Sequence, residues 1–111
     1  MRRLIQLYAL LTGRPLRPAE AQHQVDAATR RLSLYLFAAC PYCLKVRWAI
    51  RRLQLHIDLR DAANDPTHRE HLLEDGGKYQ TPCLRIEEES GETRWMYESA
   101  DIIRYLERQF G

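Results

Sequence analysis

The spacing of hydrophobic residues divides the first half of the domain into two strands and a helix. Residues 32–37 form a continuous apolar and aromatic run bounded by small residues, which is typical of a buried strand. From Pro41 to Leu53, apolar side chains recur at helical spacing between basic residues, so this segment is predicted to be a helix. Residues 55–59 alternate between apolar and polar, which predicts a second strand.

The second half of the pattern predicts a helix, a β-hairpin and a last helix. A helix is expected over residues 65–74, where the following glycines end it. Residues 83–87 and 94–97 are predicted to be two strands joined by a short turn. Ser99 is predicted to cap the final helix. The order is therefore β-α-β-α-β-β-α, which indicates an α/β fold.

Residues 1–31 follow a different pattern and are predicted to be an N-terminal arm, partly helical or flexible, before a domain at residues 32–111. Gly13, Pro15 and Pro18 interrupt any regular element in this segment. Its apolar run is far shorter than the roughly 20 residues that span a bilayer, and a cleaved signal peptide is the less favoured alternative. Four apolar residues at helical spacing give the arm a face for docking on the domain or for weak contact with a membrane surface: Leu4, Leu7, Tyr8 and Leu11.

Composition and charge narrow the class of protein. The 111 residues suffice for one domain, and the net charge is +2. Residues 1–31 hold six arginines and two acidic residues, whereas residues 32–111 hold 11 basic and 13 acidic residues. Because the domain is net acidic and has no basic stripe, nucleic acid is not an expected partner. Three cysteines cannot form a closed set of disulfides, so a reducing, cytoplasmic location is predicted.

The motif Cys40-Pro41-Tyr42-Cys43 lies where the first strand gives way to the first helix of the domain. Free amides and the macrodipole at a helix N-terminus favour negative charge, so Cys40 is expected to ionise readily and to act as a nucleophile. Cys43 lies one helical turn further on the same face, within reach of a disulfide formed at Cys40. We therefore predict that Cys43 is the resolving thiol.

A metal site and an inert core pair are the alternatives to a redox role for these two cysteines. A structural zinc site normally needs four ligands, and the remaining cysteine and the four histidines have no matching spacing, so no metal is expected. Two inert core cysteines are disfavoured. A cysteine at a helix N-cap followed by a proline at the first helical position, as at Cys40 and Pro41, is typical of a redox-active pair. Cys83 is predicted to point into the core and to be inert, and a regulatory role for this thiol is the minority alternative.

Three motifs together resemble known families. Cys40-Pro41-Tyr42-Cys43 resembles the active site of dithiol glutaredoxins, and Gln80-Thr81-Pro82-Cys83 is similar to the segment that holds a cis-proline in their thioredoxin-like fold. Trp95-Met96-Tyr97-Glu98-Ser99 resembles the Glu-Ser element of glutathione S-transferase N-terminal domains. The resemblance implies a thioredoxin-like (glutaredoxin) fold with a four-stranded mixed sheet.

The resemblance also implies glutathione as reductant and co-substrate. The Thr81 backbone beside a cis Pro82 is expected to pair with the cysteinyl residue of glutathione. Ser99 and the first amides of its helix are expected to bind the γ-glutamyl carboxylate, and Glu98 its ammonium group. Tyr42 is expected to pack beside the incoming sulfur.

The resemblance implies one more contact with glutathione, and at Phe37 the sequence departs from the family pattern. Arg69 or Lys78 is the candidate for contact with the glycine carboxylate of glutathione, and the alternative is that both are solvated surface charges. A lysine is usual three residues before the first cysteine of glutaredoxins, and here this position is Phe37. The resemblance therefore implies a less acidic Cys40 than in those relatives.

The sequence-based prediction is a glutathione-dependent thiol–disulfide oxidoreductase that reduces protein disulfides or glutathionylated proteins. A glutathione-binding module without turnover, either an iron–sulfur cluster carrier or an adaptor, remains the alternative. A thioredoxin-type reductant that does not use glutathione is a third. A transferase is disfavoured because residues 32–111 contain no helical second domain.

Overall fold

The predicted order of strands and helices is present in the computed structural model, which describes residues 17–111. The predicted apolar face of residues 4–11 lies outside the described residues. Among the described residues, no helix combines the length and the apolar character needed to cross a membrane. The elements in chain order are α1 (Ala19–Thr29), β1 (Leu32–Leu36), α2 (Pro41–Arg52), β2 (Asp58–Asp61), α3 (Pro66–Glu70) with a π-helical continuation (His71–Asp75), β3 (Cys83–Glu87), β4 (Thr93–Met96) and α4 (Ser99–Phe110).

The four strands form one mixed sheet in the order β2-β1-β3-β4, which confirms the predicted fold class. Strand β1 pairs in parallel with β2 and antiparallel with β3, and β4 pairs antiparallel with β3. All five residues of β1 are buried. This central position explains why the sequence of β1 is almost entirely apolar instead of alternating.

The sheet separates two groups of core side chains. One face of β1 presents Leu34, which packs with side chains of α2 and α4 such as Val46 and Ile102. The opposite face presents Tyr35, which packs with Cys83 and with other residues of the α3 side. Cys83 is fully buried, as predicted.

The second strand begins three residues later than predicted and ends two residues later. Strand β2 is Asp58–Asp61, whereas Leu55 and Ile57 belong to the connection that precedes it. Both side chains are buried in the core. The alternating pattern at 55–59 therefore came from a loop that turns two apolar residues inward. β2 is an edge strand with only exposed and half-buried residues, so it carries little hydrophobic signal of its own.

The predicted cap of the last helix was displaced by one residue. The amide of Ile102 donates to the carbonyl of Glu98 at 2.9 Å, so Glu98 accepts the first helical hydrogen bond and holds the N-cap position. Ser99 is the first residue of α4. No side chain at the cap bonds to the first amides of this helix.

Helix α1 is attached to the C-terminal ends of α2 and α4. The Arg17 guanidinium donates to the carbonyl of Leu53 at 2.6 Å and to the carbonyl of Phe110. The Gln22 side chain donates to the carbonyl of Gln54 at 3.0 Å. The C-terminal part of the predicted arm thus contacts the domain, and the boundary at residue 31 stays a prediction.

Candidate active site

The three motifs meet at one end of the sheet because of strand direction and register. Tyr35 of β1 pairs with Cys83 at the start of β3, so the end of β1 lies beside the Thr81-Pro82 segment. Leu84 of β3 pairs with Met96 at the end of β4, which brings the Glu98-Ser99 segment to the same end. Residues far apart in sequence therefore surround the cysteine pair that follows β1.

Cys40 occupies the N-cap of α2. Its backbone is extended (φ −83°, ψ 121°), and Pro41 follows as the first helical residue. The amide of Cys40 donates to the Phe37 carbonyl at 3.2 Å, and the carbonyl of Cys40 accepts from the Leu44 amide at 3.1 Å. The loop after β1 and the first turn of α2 thus hold the Cys40 thiol, which is half-buried, at the positive end of the helix.

Polar groups around the Cys40 sulfur favour its thiolate. Burial by itself would raise the pKa of this thiol, but donors from Cys43, Tyr42 and Thr81 outweigh burial and lower the pKa below its ordinary value. The donors include the backbone amides of Cys43 and Tyr42, the thiol of Cys43 and the hydroxyl of Thr81. Cys40 therefore has the environment of a nucleophilic thiolate without a lysine at position 37.

Cys43 has the opposite environment. It is buried on the inner face of α2, and this burial is the main cause that raises the pKa of its thiol. The hydrogen bond to Cys40 and the negative charge on Cys40 raise the pKa of Cys43 further. The thiol of Cys43 is therefore harder to ionise as long as Cys40 carries a negative charge.

Thr81 has a contact that the sequence-based prediction did not include. The resemblance assigned a role only to its backbone, but its hydroxyl is also placed to act on both active-site thiols and lowers the pKa of each. The Thr81–Pro82 peptide bond is cis. A hydroxyl residue directly before this proline was the available signal, since the proline segment was already expected to face the cysteines.

We expect alkylation of Cys40 by iodoacetamide to rise with pH through an apparent pKa below the value of about 8.5 for a free thiol. The sign follows because only the thiolate reacts and the folded protein stabilises it. Thr81→Val removes one donor, so the increase in alkylation rate should occur at higher pH. Cys40→Ser is the control that shows the background alkylation of the other cysteines. The measurement is the alkylation rate by mass spectrometry between pH 4 and 10. An unchanged profile in Thr81→Val would contradict this role of the hydroxyl.

The other predicted glutathione contacts occupy different environments. Glu98 is exposed, Ser99 is half-buried, and both lie at the N-terminus of α4. Tyr42 is 59% exposed, and the Lys45 Nζ lies 5.5 Å from the centroid of its ring. These side chains are accessible for ligand binding, and their roles stay predictions.

Arg69 and Lys78 are partly engaged within the protein. The Arg69 guanidinium donates to the carbonyl of Ala63 at 2.6 Å and to that of Ala62 at 3.3 Å, which fixes α3 to the segment after β2. The Lys78 Nζ lies 5.6 Å from the centroid of the Tyr97 ring. A contact of either cation with the glycine carboxylate stays a prediction.

Cys83 differs from the active-site pair in both exposure and ionisation. Burial raises the pKa of this thiol to about 12, although a hydrogen bond to the Tyr97 hydroxyl lowers it. Cys83 is therefore protonated and unreactive near neutral pH. Within residues 17–111, no three histidine, cysteine or acidic side chains are grouped so that they could hold a metal ion.

Solved structures share the fold of this chain. Maleylacetoacetate isomerase from Anaeromyxobacter dehalogenans, solved with bound dicarboxyethyl glutathione and citrate in its active site, aligns with a TM-score of 0.55 and 23% identity, over 71% of this chain and 36% of that one. Oxidised glutaredoxin 2 from Chlamydomonas reinhardtii aligns with a TM-score of 0.52 and 19% identity, over 83% of this chain and 87% of that one. At these identities the likeness shows the thioredoxin-like fold alone.

Sequence comparison gives the family. Glutaredoxin 2 of Escherichia coli K12 is 33% identical over an alignment of 84 residues, and the match covers 72% of this chain and 34% of that protein. The chain thus spans about a third of the length of the curated relatives that it matches. The family model "Glutathione S-transferase, N-terminal domain" matches residues 39–109, which include all three motifs. The chain therefore belongs to the glutathione S-transferase N-terminal domain family and has the thioredoxin-like fold of the glutaredoxins.

Proposed function

We propose that this protein is a thiol–disulfide oxidoreductase that uses glutathione to reduce protein disulfides and glutathionylated proteins. The observation that carries the proposal is the contrast between its two active-site thiols. Cys40 is accessible and its pKa is lowered, whereas Cys43, one turn away, is buried and its pKa is raised. A nucleophile and a resolving thiol need this difference.

In the first step the Cys40 thiolate attacks a sulfur of the substrate disulfide. A bond forms between the Cys40 sulfur and the attacked sulfur, the substrate S–S bond breaks, and the other substrate sulfur leaves as a thiolate that takes a proton from water. With a glutathionylated protein, attack at the glutathione sulfur releases the protein thiol and leaves glutathione on Cys40. With a protein disulfide, the substrate itself stays attached to Cys40.

Two routes complete the cycle. A second glutathione thiolate attacks the glutathione that is bound to Cys40, which yields glutathione disulfide and restores the Cys40 thiolate. Alternatively, Cys43 loses its proton and attacks the Cys40 sulfur, which releases the reduced substrate and forms a Cys40–Cys43 disulfide. Two glutathione molecules then supply the two electrons that restore the dithiol and leave as one glutathione disulfide.

The end of the sheet offers groups suited to glutathione. The Thr81 backbone beside Pro82 is open to pairing with a cysteinyl residue, as in strand addition. The first amides of α4 have no side-chain cap, and with Ser99 they are suited to the γ-glutamyl carboxylate. Glu98, which is exposed, is suited to the ammonium group. A reducing compartment such as the cytoplasm would supply the reduced glutathione.

The source of electrons tests this proposal. We expect the oxidised wild-type protein to be reduced by glutathione, with glutathione reductase and NADPH regenerating it, much faster than by thioredoxin reductase and NADPH. The readout is the appearance of free Cys40 and Cys43 thiols by mass spectrometry after alkylation, and Cys43→Ser is the control that cannot form the internal disulfide. Preferential reduction by thioredoxin reductase would refute the use of glutathione.

A further inference from the structure

A groove of about 740 Å³ runs along the outer side of α2, between this helix, the start of the described chain and the segment around β2. Three of its lining residues are large and apolar, yet exposed: Leu44 is 42% exposed, Trp48 63% and Leu59 46%. Exposed apolar side chains gathered in one concavity are typical of a binding surface.

The groove lies in line with the reactive cysteine. At 100° per residue, Leu44, Arg47 and Arg51 lie within about 40° of Cys40 around the helix axis, and Trp48 lies about 80° away on the exposed side. Cys43 lies about 60° away in the other direction, towards the buried side that holds Val46. With a rise of about 1.5 Å per residue, Leu44 is about 6 Å and Arg51 about 16 Å along the helix axis from Cys40. A peptide chain joined to the Cys40 sulfur would reach this stretch with its next two to five residues, at about 3.3 Å per residue.

The groove is also positively charged. Arg17, Arg47 and Arg51 line it, and no aspartate or glutamate does. Arg17 is engaged with backbone carbonyls, but within residues 17–111 neither Arg47 nor Arg51 forms a salt bridge. Residues 1–16 contain no acidic residue that could neutralise them.

From this arrangement we infer that the groove along α2 binds an apolar and acidic segment that flanks the target cysteine of a protein substrate. Leu44 and Trp48 provide the apolar contact, and Arg47 and Arg51 attract the acidic side chains. The inference names the substrate class of the redox site and rests on the proposed function.

Charge and shape favour this occupant over the others. Residues 1–16 hold three arginines and would place like charges beside Arg47 and Arg51. A second copy of the chain would bring the same positive groove. A membrane surface requires a protruding face, whereas these residues line a concavity.

Binding is tested first, without chemistry, by fluorescence anisotropy on the full-length protein. Two fluorescein-labelled peptides serve as probes. In both, a serine replaces the target cysteine and leucines lie close to this serine on either side. One peptide carries glutamates between the leucines, and the other carries lysines at the same positions. We expect the glutamate peptide to bind about tenfold more tightly, because two surface ion pairs replace two repulsions. The double variant Arg47→Glu, Arg51→Glu should reverse this preference, and Trp48→Ala should weaken binding of both peptides.

Turnover is tested with the same peptides carrying glutathionylated cysteine, coupled to glutathione reductase. The glutamate peptide should show the higher kcat/KM in the wild type and the lower one in the double charge variant, while reduction of the small mixed disulfide of glutathione and 2-mercaptoethanol stays unchanged. If the wild-type protein binds both peptides equally well but reduces the small disulfide normally, the groove is not the binding site for the substrate and the proposed function is unaffected. A clear binding preference without any turnover would overturn the proposed function instead.

Three results would assign the groove to another occupant and overturn the inference. The first is weak peptide binding that rises strongly when Leu4→Asp and Leu7→Asp are introduced together, which would indicate the chain's own N-terminal segment. The second is a dimer in sedimentation that Trp48→Ala abolishes. The third is pelleting with phosphatidylserine vesicles, abolished by the double charge variant, in a protein that binds neither peptide.

Discussion

Replacing Cys40 by serine is expected to lower glutathione-coupled turnover of a mixed disulfide by about a thousandfold or more, because a hydroxyl is a weak nucleophile at its ordinary pKa. The amides of Tyr42 and Cys43 and the Thr81 hydroxyl are arranged to stabilise a thiolate, and they cannot make a serine ionise near neutral pH. The measurement is NADPH consumption with glutathione reductase and the mixed disulfide of glutathione and 2-mercaptoethanol.

Cys43→Ser is the matched variant because it makes the same replacement of sulfur by oxygen, one helical turn away from Cys40. It should keep reduction of the glutathione mixed disulfide, which needs only Cys40 and free glutathione, and should lose reduction of a protein disulfide that depends on release by Cys43. Both variants need an unfolding curve, since Cys43 is buried. Full turnover in Cys40→Ser would refute the assignment of the nucleophile.

The cysteine site was predictable from sequence because its main features are local. A buried strand, a cysteine, a proline and a helical repeat within some 20 residues place Cys40 at an N-cap by short-range rules alone. The hydroxyl of Thr81 was not predictable in this way. Its contact with the cysteines depends on the pairing of β1 with β3, which joins segments about 40 residues apart in sequence.

The misplaced β2 and the groove, which was not predicted, have a common cause. In both places, the environment of an apolar side chain is set by residues that are distant in sequence. Leu55 and Ile57 produce an alternating pattern like that of a strand because both side chains are buried in the core, although the residues belong to a loop. Leu44 and Trp48 interrupt the polar side of α2, and this interruption was the available sequence signal for the groove. Periodicity identifies which side chains are apolar, but only the fold decides which of them meet a partner.

The position of the active site depends on the packing of β1, because this strand leads directly to Cys40 and pairs with β3 beside Pro82. Leu34 is fully buried at the middle of β1, opposite Leu59 of β2 and Leu84 of β3. It also packs in the cluster that fixes α2 and α4 to the sheet. Loss of its side chain removes apolar contacts and leaves a cavity at the centre of the domain.

Leu34→Ala is therefore expected to lower the free energy of unfolding by about 2–5 kcal/mol, measured by urea denaturation and circular dichroism. Leu73→Ala is the matched control, since Leu73 is 53% exposed and the same change there should cost less than about 0.5 kcal/mol. Because a small domain is stable by only about 5–15 kcal/mol, Leu34→Ala should also populate unfolded molecules in which Cys83 becomes open to alkylation. Equal stability of the two variants would contradict the placement of Leu34 in the core.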